Sequence, residues 1–188
     1  MDWCLRSCRA AAWMAALLLL ATPSLSIAQS IPQPVVMVID TAKIMAEARA
    51  MNSIRDQIDQ IRSSYQAEIK REEDELRRAD QEMAQQRQVL SPEAFNQRRQ
   101  ELQQRASALQ VKARTRRTQL DQALRDAVQV VRNRLLKIVE TVAQRHGANV
   151  VVQKSDLVYA DDRMEFTDEV LAQLNAELST VTVETPRG

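Results

Sequence analysis

The chain has 188 residues and a formal net charge of +1, from 26 Lys+Arg against 25 Asp+Glu; 45% of its residues are hydrophobic but only 3% are aromatic. A total so close to neutral argues against a nucleic-acid binder, which needs a basic excess to hold phosphates. Its two glycines leave no room for the glycine-rich loop that cradles nucleotide phosphates, so any work on a partner must proceed by equilibrium binding.

The first residues read as a cleavable export signal. Arg6 and Arg9 form a basic start, residues 10–21 are an apolar run holding Leu17, Leu18, Leu19 and Leu20, and Pro23 ends it. Ser26 and Ala28 are the small residues a signal peptidase reads, so a signal peptide over 1–28 and a mature chain from Gln29 are expected. The run is short for a membrane span, a retained anchor being the alternative. Cys4 and Cys8, the only cysteines, leave with the signal, so no disulfide or thiol chemistry is expected in the mature, exported protein. Removing Arg6, Arg9 and Asp2 leaves 24 charges of each sign. They are unevenly placed: residues 87–145 carry 13 basic and 5 acidic residues, a net of +8, and residues 147–188 carry 3 basic and 8 acidic, a net of −5. Such asymmetry bears on partners rather than on fold.

Val35, Val36, Met37, Val38 and Ile39 form a continuous apolar run that reads as a strand buried on both faces. Asp40 or Thr41 can cap the helix that follows. From Ala42 to His146 there is no glycine and one proline, Pro92, which predicts two long helices forming an antiparallel hairpin arm over 42–146 with its tip near 90–93. The first arm's seam contains Ile44, Met51, Ile54, Ile58, Ile61, Tyr65, Ile69, Leu76, Met83 and Leu90, with an eleven-residue step from Ile58 to Ile69. Glu72, Glu73, Asp80 and Gln86 stand where a strong coiled coil places leucine, so the seam is thin. At the tip, Ser91 can be an N-cap with Pro92 at N1, and Leu90 and Phe95 form a hydrophobic staple. The second helix repeats the eleven-residue step between Leu109 and Leu120, and pairing about the tip sets the two steps opposite each other.

Gly147 stands where a left-handed residue ends a helix. Val150, Val151 and Val152 read as a second strand, and Leu157, Val158, Tyr159 and Ala160 as a third. Thr167 can cap a last helix, and the tail after Ser179 is expected to fray. The predicted fold class is α+β, mostly helical: a long coiled-coil hairpin projecting from a small β-containing body made of 35–41 and 147–178. A body of some forty residues without disulfide or metal rarely stands alone, so oligomerisation through its strands is expected, with Val36, Val38, Val150, Val152 and Val158 as candidate contacts.

Three stretches carry a family resemblance. Val35 to Asp40 with Lys43 and Ile44, the turn from Leu90 to Phe95, and Tyr159, Ala160 and Asp161 followed by Phe166, Thr167, Asp168, Glu169, Val170 and Leu171 resemble the Skp (OmpH-like) family of periplasmic chaperones. The resemblance covers essentially the whole mature chain. It implies a homotrimer with three arms around a cavity, binding unfolded outer-membrane β-barrel proteins without ATP or any cofactor. Skp itself is markedly basic, whereas this mature chain is neutral.

Within that frame Arg98, Arg99, Lys112, Arg114, Arg116 and Arg117 are the candidates for contact with acidic clients or anionic lipid, though exposed charge on a helix is also ordinary solvated surface. Lipopolysaccharide contact, linked to basic arm residues in the family, matches only Lys112 in position. His146, the single histidine, is expected to meet the carbonyls at the end of its helix. Asp161 and Asp162 read as a turn rather than a cation site. No nucleophile motif is present, so no enzyme and no metal are expected. The competing reading is a structural envelope spacer or adaptor without chaperone activity.

Overall fold

The computed structural model describes residues 32–185; the expected signal peptide, with Cys4 and Cys8, lies outside them. The elements in chain order are β1 (Val36–Ile39), α1 (Thr41–Glu47), α2 (Arg49–Gln85), α3 (Pro92–Arg145), β2 (Val150–Gln153) and α4 (Thr167–Glu177). Strands β1 and β2 pair in parallel, Val36 opposite Val150 and Ile39 opposite Gln153. Parallel neighbours need a crossover, and here the entire helical hairpin is that crossover. The architecture is the expected one: a mostly helical α+β chain whose long hairpin projects from a small sheet.

Local chemistry sets the hairpin's ends. Asp40, not Thr41, caps α1, its carboxylate accepting from the Lys43 N–H at 2.8 Å. Thr41 instead donates to Gln153 at 2.8 Å, tying α1 to β2. At the tip a short 3-10 turn, Gln86–Gln88, closes the first arm, and Ser91 caps α3 by accepting from Ala94 N–H at 3.3 Å, with Pro92 in the first turn. Gly147 ends α3 at φ +66°, with its own N–H on Gln144 and the Ala148 N–H on Ala143, which satisfies two orphan carbonyls. Beyond its chain neighbours, no atom of the described residues lies within 4 Å of the position a Cβ would take there, so Gly147→Ala should cost only the left-handed backbone penalty of about 1–2 kcal/mol, read as a lower denaturant midpoint at unchanged slope.

Four features depart from the sequence reading. The first arm is broken at Ala48, which is extended at ψ 133° and fully buried. The break is held by remote partners: Asn175 of α4 accepts the first N–H of α2 at 2.8 Å, and Arg55 donates to the Ala46 carbonyl at 3.1 Å. Alanine is the strongest helix former, so nothing local announces it. The third strand does not form among the described residues. Residues 157–160 run irregularly between two 3-10 turns, and β1 takes only a single bridge, Val38 to Glu165, on its other side. Thr167 begins α4 but does not cap it; its buried hydroxyl accepts from the Asp40 N–H at 2.9 Å and donates to Glu165 at 3.1 Å. The tail does not fray within the described residues: Val181 and Val183 are buried against the arm.

The core is continuous from the sheet into the base of the hairpin. Met37, Ile39, Ile44, Ile54, Val131, Ile138, Val142, Val170 and Leu174 belong to one buried cluster that reaches outward to Ile58 and Leu120. Beyond those two residues only Met83 and Leu109 are buried. The head is therefore not a separate forty-residue body, because the lower arm supplies much of its core. The outer arm has the thin seam its polar positions predict.

Candidate functional site

Two surfaces carry distinctive chemistry: a polar layer across the outer arm and an open apolar edge on the head. In the arm the two eleven-residue steps face each other, and apolar packing gives way to charge between them. Lys112 reaches across from α3 to bind Glu68 at 2.7 Å and also Glu72. One turn further along, Arg116 lies 3.4 Å from Glu68 and lays its guanidinium 4.7 Å from the centre of the Tyr65 ring. Glu68 and Glu72, four apart on one helix face, repel each other unless a cation stands between them. The hydrogen bond from Lys112 holds the Glu68 carboxyl below its ordinary 4.5. Bonds to Glu68 and Glu72 lift Lys112 above its ordinary 10.5.

These directions fix a pH dependence. Glu68, depressed on folding, contributes stability that is present above 4.5 and lost as pH falls through its lower folded value. Lys112, raised on folding, contributes stability that is present below 10.5 and lost as pH rises through its higher folded value. Protection of the outer arm, taken relative to the intrinsic exchange rate at each pH, should therefore fall at both extremes, and Lys112→Met should flatten both limbs while leaving the lower arm protected.

The layer is flanked by grooves between the arms, one of about 580 Å³ lined by Tyr65, Ile69, Ala113, Arg117 and Leu120, the other of about 430 Å³ by Glu72, Leu76, Arg105 and Leu109. Of the six candidate cations, Lys112 and Arg116 are half-buried and committed to the seam, and Arg98 donates to Gln86 near the tip. Arg99, Arg114 and Arg117 are exposed, and their side chains have no hydrogen-bond or ion-pair partner among the described residues. The six are thus spread along the arm rather than gathered into one cluster. Glu68 is a layer member that the sequence reading did not name, and Tyr65, read there as a seam residue, also faces a cation. The i,i+4 carboxylate pair on a seam face was the available signal.

On the head, β2 has no strand neighbour beyond β1 among the described residues, so its outer edge is open. Val35, Val150 and Val151 are exposed there, and Val158 and Tyr159 are 107% and 82% exposed. Of the other candidate contacts, Val38 is buried within the chain, and Val36 and Val152 are half-buried. Nearby side chains are structural. His146 meets not the helix-end carbonyls but Glu169 at 2.9 Å, with its ring 4.5 Å from that of Phe166. Asp161 caps a turn and holds Arg163 through both carboxylate oxygens, at 2.9 and 2.8 Å. No group of three or more potential metal ligands converges among the described residues.

The pattern of the outer membrane protein (OmpH-like) family matches residues 35–174. The chain belongs to the OmpH-like family. Its fold is also that of a candidate OmpH-like outer membrane chaperone from Caulobacter crescentus CB15, with 21% identity and a TM-score of 0.77 over 84% of this chain and 93% of that one. No match is found among curated proteins. In this OmpH-like chain both surfaces fall inside the matched residues, whereas the buried tail lies beyond them.

Proposed function

We propose that this OmpH-like chain is an ATP-independent periplasmic holdase. It assembles as a homotrimer through its head and keeps unfolded outer-membrane β-barrel proteins from aggregating in the space between the arms. The observation that carries the reading is an OmpH-like hairpin rooted in a head whose strand edge and apolar side chains are left bare. An exposed edge strand is a template for pairing with another chain. Val158 and Tyr159, exposed among the described residues, supply apolar surface beside it.

Holding without ATP requires contacts that are weak singly and strong together. The outer arm offers shallow grooves, few aromatics and arginines whose aliphatic stems cover apolar surface beneath a charged head. Several such arms engaging one unfolded chain give avidity with easy release. Of the six candidates, Arg99, Arg114 and Arg117, exposed and unpaired among the described residues, are the ones to meet acidic client segments or anionic lipid, lipopolysaccharide included. Their contribution should weaken with salt.

The test is rapid dilution of a urea-denatured outer-membrane barrel into the purified mature protein, followed by light scattering. Suppressed scattering and a soluble complex of fixed stoichiometry are expected. Scattering that rises equally with and without the protein returns the chain to the spacer reading.

A further inference from the structure

The tail that follows α4 sits on the lower arm as a peptide sits in a binding site. Gln57 of α2 donates from Nε2 to the Val181 carbonyl at 2.7 Å, and its Oε1 accepts from the Val183 N–H at 3.0 Å. Those are the two bonds a parallel neighbouring strand would make on either side of Thr182. Ser53 fixes the amide's orientation, accepting from the same nitrogen at its hydroxyl, 3.0 Å, and its carbonyl, 3.2 Å. Val181 and Val183 are buried in the cluster at the arm base. Thr182 and Glu184 stay exposed and share a surface cleft with Asp126, Ala127 and Val130 of α3. The strap thus has the two-residue alternation of a strand from a membrane barrel. It begins past residue 174, where the family match ends.

We infer that the base of the arm is a strand-reading site, in which Gln57 reads the backbone and two apolar slots take side chains at positions i and i+2. The tail fills this site when no client is bound, and an extended client segment of alternating apolar residues displaces it. The assignment of clients rests on the holdase reading; the site itself rests on the geometry of the strap. Tethered to its own site, the strap is an internal competitor at roughly millimolar effective concentration, so it lowers the affinity of any external segment by the fraction of time the site is filled.

The probe is a fluorescent peptide of residues 178–185, titrated by anisotropy against the mature chain and against Val181→Ser/Val183→Ser, whose strap no longer fills the slots. Circular dichroism verifies that the helices are intact, and Val181→Asp/Val183→Asp releases the strap independently. The released chains should bind the peptide on the order of tenfold or more tighter than the parent. Gln57→Glu in a released chain, unable to donate to the strap carbonyl, should lose most of that binding. Equally weak binding by the parent and both released chains, or binding indifferent to Gln57→Glu, overturns the proposal. A failure of the holdase reading shows separately, as a denatured barrel that aggregates at one rate with every variant, whatever the peptide titration gives.

Discussion

Val151→Asp combined with Tyr159→Asp should turn the proposed trimer into folded single chains. Both residues are exposed within one copy, and surface substitutions of this kind usually move stability by about 0.5 kcal/mol or less. In an assembly built on the β2 edge, each aspartate would be buried against a neighbour, and an unpaired buried charge costs several kcal/mol. Two per copy should raise the dissociation constant by at least about a thousandfold, since each 1.4 kcal/mol is tenfold. Sedimentation velocity reads the mass, circular dichroism reads the helices, and the same sample should fail to protect a denatured barrel. The double variant can stay folded because the head shares its core with the lower arm, from Met37 to Ile58 and Leu120. An unchanged sedimentation coefficient would place the self-association surface elsewhere.

Ile54→Ala should be among the most destabilising single truncations in the arm, and its outer counterpart should be mild. Ile54 is fully buried where α2 meets the head. Removing its outer carbons loses transfer energy and leaves a cavity, about 2–5 kcal/mol together, or on the order of 10 °C in the thermal midpoint. Leu76, beyond the polar layer, is only half-buried, and Leu76→Ala should cost about 1 kcal/mol or less. The pair tests whether the arm is anchored at its base and loosely zipped outside it. Equal losses would mean the outer seam packs as firmly as the base, and an arm that stiff would not adapt to clients of different size.

Much of this architecture is legible residue by residue where a local rule fixes the backbone. Ser91 with Pro92 starts α3, Gly147 stops it, and the polar residues of the first arm foretell a thin seam. What escapes the sequence depends on partners far along the chain. The break at Ala48 is set by Asn175, more than a hundred residues away, against alanine's own preference. Thr167 has the composition of a cap, yet its hydroxyl bridges Asp40 and Glu165 instead. The run from Leu157 to Ala160 looks like a strand because it is apolar, but it pairs with no strand among the described residues. The tail after Ser179 reads as frayed because the glutamine that clamps it, far back on α2, carries no signature in sequence. The candidate cations show the same limit. Charge and spacing alone do not separate Lys112 and Arg116, turned into the seam, from Arg99, Arg114 and Arg117, turned to solvent.

Native mass spectrometry of the mature chain, after a denatured outer-membrane barrel has been diluted into it, reaches the heart of this account. A discrete complex of three copies around one client is the expected mass. Folded single chains beside an aggregated client, or one chain bound to one client, would contradict it.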